Sequence, residues 1–324
     1  METNPAMEHL ASKRRLWYTI SLVVIVPGVI ALILFGLNLG IDFTGGTNWN
    51  LKFNRTIETE EVRSVLDAHG YTGSVVQVSS EGGGTNNVAV INMKELQQGS
   101  QEKRDLEQAF RSQIGDFEEL ELVSVGASVG NEISRRAIYA VALASLGILA
   151  YIAFAFRNTQ NPVLYGIAAL TAMLHDVLVV LGIFAILGEF ADVEVDALFV
   201  TAILTVIGFS VHDTIVVFDR IRENLARRAA PTFEGVVDYS LAQTIVRSLN
   251  TSMTVVFTLL ALYLFGGEST KNFVLALLIG VVSGTYSSIF NASQILVSWE
   301  TGEIRRLLRR LTGKGAGPAM APSR

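Results

Sequence analysis

Six apolar runs constrain this chain more than any other feature: Leu16–Leu39, Ala137–Phe156, Val163–Leu187, Ala197–Phe218, Thr244–Phe265 and Phe273–Trp299. Each can cross a hydrocarbon layer about 30 Å thick as a helix rising about 1.5 Å per residue. The predicted fold class is an α-helical polytopic membrane protein with six transmembrane helices. Composition agrees, since 50% of the 324 residues are hydrophobic and only 17% are charged. Lys13, Arg14 and Arg15 before the first run could begin a signal peptide, but the run is too long for one and no small-residue cleavage site follows. It reads as a retained span, kinked at Pro27.

The absence of cysteine excludes disulfides, thiolate metal sites and cysteine nucleophiles. No basic, aromatic-lined surface points to nucleic acid. No phosphate loop of the Walker A type is present, so ATP is not the energy source within this chain, and an ion gradient is the alternative.

Between the first two runs lies a polar region. It opens on Gly40–Thr47 (GIDFTGGT), whose glycines suit a sharp turn at the membrane surface. Asn48–Phe53 alternates as a strand. A helix capped by Thr56 or Thr59 runs to about His69, with Gly70 as its stop. Ser74–Val78 and Val88–Asn92 are strands joined by the loop Glu81–Asn87, Ser100–Ile114 is a helix, and Leu120–Val125 is the last strand. The order βαββαβ predicts an α+β ferredoxin-like domain. The expected boundaries are an N-terminus at 1–15, TM1 at 16–39, the external domain at 40–136, the TM2–TM6 bundle at 137–299 and a basic tail at 300–324.

Arginines and lysines place the two ends. Lys13–Arg15, Arg157, Arg220, Arg222, Arg227, Arg228 and the tail fall on one side. The loop between the third and fourth runs carries Glu189, Asp192, Glu194 and Asp196 without a basic residue. By the positive-inside rule both termini are cytoplasmic and the βαββαβ domain is external. Arg135 and Arg136 run against the rule, and docking of the soluble domain gives them another use.

Polar groups inside the runs carry the functional expectation. Asp213, next to His212, lies about 15 residues into the fourth run, in its cytoplasmic half. An acid at membrane depth is costly and points to ion or proton movement. Arg247 in the first turns of the fifth run is at similar depth, and an Asp213–Arg247 pair would hold both charges. A switchable pair in a proton path is about as open as its bland alternatives, a static pair locking two helices or an Arg247 that snorkels to lipid headgroups. Thr201, Thr205, Gly208 and His212 share one helical face, as do Arg247, Asn250, Thr251, Thr254 and Thr258, and Gly280, Gly284, Ser287 and Asn291 form a small-polar stripe. Such stripes most often mean tight packing, though three near an acid and an arginine could wall a hydrated path. His175–Asp176 in the third run repeats the His-Asp spelling; such a histidine more often bonds a neighbour than relays protons. No zincin motif or protease-like aspartate context stands out, so neither a metal site nor a catalytic residue is expected.

Five words of the sequence resemble the SecD/SecF family of protein-export membrane proteins, within the resistance-nodulation-division-like superfamily. They are Gly40–Thr47, Val129–Ala137 (VGNEISRRA), Leu174–Asp176 (LHD), Phe209–Asn224 (FSVHDTIVVFDRIREN) and Ser248–Thr254 (SLNTSMT). The resemblance implies a subunit without enzymatic activity or cofactor. It would pair with SecD as an obligate partner and assist the SecYEG channel, with YajC and YidC as further associates. It implies the bacterial inner membrane and use of the proton-motive force. Carried onto matching residues, the family's membrane aspartate is Asp213 and its arginine Arg247, with His212, Asn250 and Thr254 in support. Gly40, Asp42, Gly45, Gly46, Gly280 and Gly284 are structural motif positions. A half-transporter exporting lipids or small molecules, an intramembrane hydrolase and a bare scaffold are the competing readings.

Overall fold

The computed structural model of the chain describes residues 10–79, 86–159, 161–304 and 306. The helices are α1 (Arg14–Leu34), α2 (Ile41–Thr44), α3 (Thr59–Ala68), α4 (Gln101–Gln113), α5 (Ala127–Ala155), α6 (Pro162–Ala191), α7 (Ala197–Ala226), α8 (Phe233–Phe265), α9 (Glu268–Ser287) and α10 (Ser293–Glu300). The strands are β1 (Gly46–Phe53), β2 (Val75–Ser79), β3 (Val88–Met93) and β4 (Phe117–Val125). Six helical segments are long and apolar enough to cross a membrane: α1, α5, α6, α7, α8 and the stretch Ser269–Glu300. The chain forms two compact units, one of residues 38–140 with 194–197, the other of the remaining helical segments.

The smaller unit is the expected βαββαβ fold. Its sheet has the order β2-β3-β1-β4, antiparallel throughout. Alternation along β1 buries Trp49, Leu51 and Phe53 against Val62, Val65 and Leu66 of α3 and Leu106 and Phe110 of α4. Trp49 and Phe110 meet edge to face at 5.8 Å, and Phe53 lies 5.5 Å from Phe117. This aromatic cluster gives a unit of modest size a dense core without disulfides. One charge is built into it. Lys103 bonds Glu119 at 2.7 Å and Glu107 at 3.2 Å. Burial pulls the Lys103 ammonium down, but the hydrogen bonds to the two carboxylates outweigh it and hold it above the usual lysine range.

Several expected boundaries move. Neither Thr56 nor Thr59 caps α3: the cap position is Glu58, with no side-chain bond, because the chain is still extended there. Ser100 does cap α4, accepting from the Lys103 amide. Most of the loop expected at Glu81–Asn87 lies outside the described residues, as does the tail beyond 306. The first span stops at Leu34 rather than Leu39, because Gly36 turns left-handed (φ +73°). The second starts ten residues earlier than expected, so the VGNEISRRA word is helical; within it Arg136 pairs with Glu132 one turn back. The fourth span runs on past its apolar run as α7 to Ala226, and α8 begins at Phe233, ahead of the fifth run. Asn224 ties the two by bonds to Ser240 (2.9 Å) and Gln243 (3.0 Å). The sixth span is interrupted by a π-helical turn, Ser288–Ala292. Pro27 lies inside an uninterrupted α1.

Within the bundle, glycines set the closest crossings. A β-carbon on Gly182 of α6 would come 2.5 Å from the Cα of Gly28 of α1. On α9, a β-carbon on Gly280 would collide with Val206, and one on Gly284 would lie 3.3 Å from the Cα of Ser210. The small stripe of the sixth span is thus a packing seam against α7. By contrast, Ile138 and Leu143 of α5 and Phe257 and Phe265 of α8 are exposed, as side chains facing lipid would be. Arg14 clamps one end of the bundle, bonding Glu303 through Nε (2.9 Å) and Nη2 (2.6 Å) and Glu234 through Nη1 (3.1 Å).

Candidate functional site

The two acids inside the bundle have different surroundings. Asp213 of α7 is 4% exposed. Its Oδ1 accepts one long bond, 3.4 Å, from Ser248 Oγ of α8. Its Oδ2 is buried with no hydrogen-bond partner among the described residues. Arg247, the residue before Ser248, does not pair with it: the arginine is exposed and makes no ion pair among the described residues. The physical reason is helical phase. Neighbouring residues on a helix point about 100° apart, so only one of Arg247 and Ser248 can face α7.

His212, Asn250 and Thr254 are likewise exposed. Thr201, Thr205 and Gly208 lie with His212 on one open face of α7, while Thr251 and Thr258 join Arg247, Asn250 and Thr254 on an open face of α8. Thr205, Thr254 and Thr258 spend their hydroxyls on carbonyls of the preceding turn. These two polar stripes are therefore unpacked within the chain, unlike the glycine stripe of α9.

Asp176 of α6 is fully buried and fully met. Its Oδ1 accepts from Ser283 Oγ (2.7 Å) and His175 Nδ1 (3.0 Å), and its Oδ2 from Ser210 and Ser287 Oγ, both at 2.6 Å. Three spans thus converge on one carboxylate. His175 stacks on Tyr286 with ring centroids 6.0 Å apart, and its Nε2 is buried without a partner among the described residues. Tyr286 donates to the Trp17 carbonyl of α1, and Thr214 and Ser288 bond each other beside the cluster at 3.0 Å. Sequence reasoning passed over Ser248, Ser210 and Ser283. The available signal was Ser283–Ser287 at i, i+4 in the sixth run, in phase with Gly280 and Gly284.

The GIDFTGGT segment is a joint within the smaller unit. Gly45 (φ +74°) and Gly46 (φ +139°) adopt conformations that side chains disfavour. A β-carbon on Gly45 would sit 2.7 Å from Ala127 Cα, and one on Gly46 2.7 Å from the Met93 carbonyl oxygen. Gly40 donates to the Val195 carbonyl, and Asp42 Oδ2 accepts the amide of Ala197, the first residue of α7. Asp42 is thereby a capping carboxylate. No group of three or more metal-ligating side chains occurs among the described residues.

Comparison with known proteins places these features in a family. Residues 105–302 match the model described as "Protein export membrane protein SecD/SecF, C-terminal", and residues 30–56 match the "SecD/SecF GG Motif". The chain is 59% identical over 309 residues to the protein translocase subunit SecF of Thermobaculum terrenum, covering 94% of this chain and 97% of that one. It is 36% identical over 301 residues to the protein translocase subunit SecDF of Bacillus subtilis, covering 91% of this chain and 38% of that longer protein. A crystal structure of a Thermus SecDF, described as a translocon-associated membrane protein, superposes with a TM-score of 0.79 at 30% identity, over 93% of this chain and 39% of that one. With six membrane-length helices, a GG-motif joint and a SecF relative matched nearly end to end, the chain is a multi-pass membrane protein that belongs to the SecD/SecF family of protein-export proteins.

Proposed function

We propose that this chain is one half of a proton-driven protein-export device, with a SecD chain as the other half and the SecYEG channel as the machine it assists. The observation that carries the reading is the unpartnered, buried Oδ2 of Asp213 beside two unpacked polar faces. A buried carboxyl oxygen without a hydrogen bond is open to a proton or a cationic group, and either one arriving beside it would change helix packing. Arg247, the residue before Ser248 on α8, is the cation that would pair with it in another state of the cycle. His212, Asn250 and Thr254 line the route, which SecD helices complete by covering the open faces of α7 and α8. The Bacillus subtilis relative, a SecDF of which this chain matches 38%, supports SecD as that partner.

The energy source is the proton-motive force, worth about 2.3 kcal/mol per charge per 100 mV. Proton transfer at Asp213 is converted into movement of the external βαββαβ unit, with both termini in the cytoplasm of a bacterial inner-membrane protein. The names of the relatives, translocase subunits, favour protein export over lipid export or hydrolysis. No bond is made or broken by the chain. The test is preprotein export into membrane vesicles carrying the complex, with and without an imposed proton gradient. Asp213→Asn is expected to abolish the gradient-dependent part, and gradient-dependent export at the wild-type rate would refute the assignment.

A further inference from the structure

Where α6 begins and α7 and α10 end, the bundle holds a cavity of about 520 Å³. Its walls come from Asn158, Thr159, Asn161, Leu164 and Tyr165, the α7–α8 connection and the last turns of α10. These are span ends, so the cavity lies at the level of a bilayer surface.

Three polar groups without partners line it. The side chain of Arg228 makes no hydrogen bond or ion pair with a described residue, yet its backbone sits at φ +50°, where glycine or asparagine is the easier choice. The turn alone does not call for an arginine. Glu300 is likewise unpaired among the described residues. Tyr165 is 5% exposed, stacked on Phe156 at 5.0 Å and edge-on to Phe218 at 5.2 Å, and its hydroxyl bonds no described residue. The hydroxyl is the accessible end of this ring and reaches the cavity, where a phenol can donate to a bound anion. Arg222 completes the wall; Asp219 holds it at 2.6 Å and its guanidinium lies 5.8 Å from the Phe156 ring centre. Since Asp219 balances Arg222, the charges left over are the cation of Arg228 and the anion of Glu300.

We propose that this cavity binds a phosphate-bearing zwitterion of the phosphoethanolamine type, supplied as the headgroup of phosphatidylethanolamine. The phosphate takes charge-assisted hydrogen bonds from Arg228 and Arg222 and a hydrogen bond from Tyr165, and the ammonium pairs with Glu300. Leu164 and Leu225 supply apolar wall for the glycerol end. A purely anionic headgroup would leave Glu300 opposed, and a cationic peptide would leave Arg228 opposed. Water-soluble phosphoethanolamine carries the same recognition groups; the position at the span ends favours the lipid.

The experiment uses the full chain purified free of phosphatidylethanolamine and read by native mass spectrometry and thermal unfolding. The probes are dioctanoyl phosphatidylethanolamine, dioctanoyl phosphatidylglycerol, phosphoethanolamine and inorganic phosphate. One phosphatidylethanolamine is expected to bind about tenfold or more tightly than phosphatidylglycerol. Arg228→Gly, which suits the backbone and preserves the fold, should weaken it about tenfold, and Glu300→Gln should erase the preference between the two lipids. Phosphoethanolamine binding as tightly as the lipid, and lost in Arg228→Gly, keeps the recognition and assigns the soluble source. Equal binding of both lipids by the wild type, no binding of either phosphoethanolamine form, or binding unchanged in both variants overturns the proposal.

Discussion

Asp176 and Asp213 lie on successive spans of one bundle, and both are buried. Asp176 receives four hydrogen bonds, from three serines and a histidine on three helices. Asp213 receives one long bond and leaves an oxygen unmet. Burial by itself does not separate a structural acid from a working one; the number of donors does. A carboxylate caged by hydroxyls has its lone pairs met by the fold and holds its neighbours in place. A carboxylate with a vacant lone pair is unfinished, and whatever finishes it has leverage over the fold.

The largest expected effect divides the two acids by function. Asp213→Asn should reduce gradient-driven export about tenfold or more while barely moving thermal stability, since only a 3.4 Å bond is disturbed. If export persisted, Asp213 would be a spectator and the comparison would fail. Next comes stability. Asp176→Ala strips His175, Ser210, Ser283 and Ser287 of their shared acceptor and should cost about 3 kcal/mol in detergent denaturation. Asp213→Ala should cost under about 1 kcal/mol in the same assay, because it removes an acid that the fold meets with a single long hydrogen bond. Equal costs for the two would show that donor number is the wrong measure.

A smaller effect sharpens the contrast between closed and open faces. Gly182→Ala drives a β-carbon to 2.5 Å from Gly28 and should lose about 1–3 kcal/mol. Gly208→Ala, on the open face of α7 with nothing within 4 Å of the added carbon, should change stability of the isolated chain by less than about 0.5 kcal/mol. Thermal melts of the two variants side by side decide it, and a penalty at Gly208 would mean that face is already packed.

The smallest effect concerns an acid at the bundle's end. The hydrogen bonds from Arg14 hold the Glu303 carboxyl below its ordinary value of 4.5, against the opposing pull of burial. A depressed carboxyl stabilises above that ordinary value, and the stabilisation is lost as pH falls through the lower folded value. Below pH 4.5 the wild type should therefore lose under about 1 kcal/mol that Glu303→Gln does not lose, measured as melting temperature against pH. Indistinguishable pH profiles would show the Arg14 clamp to be screened by solvent.

Much of the fold was legible before any coordinates. Six runs of membrane length became six helices, and alternation in Asn48–Phe53 with the apolar spacing in α3 and α4 predicted the βαββαβ unit. Boundaries were less legible, because helices outlast their apolar runs: α5 and α8 each extend about ten residues into polar sequence, held by local hydrogen bonds rather than hydrophobicity. Within the candidate site, Asp213 stood out as an acid inside an apolar run. Whether Arg247 touches it was left open by the sequence, and in this structure Ser248 takes that place. Depth along the helix was readable and favoured Arg247, but azimuth around the helix, which turns Ser248 inward and Arg247 outward, depends on which face of α8 packs on α7.

Composition and periodicity by themselves thus determined that this chain crosses a membrane six times, carries one α+β unit and keeps acids at membrane depth. Those properties follow from transfer free energy and hydrogen-bond spacing along one chain. Only the tertiary structure decided which acid is satisfied. Ser210, Ser283 and Ser287 lie 34 to 111 residues from Asp176, and no local pattern marks a serine that will donate to it. The balance between a caged and an unfinished carboxylate belongs to the packing of α6, α7 and α9, where glycines let backbones approach closely enough for short side chains to reach one another.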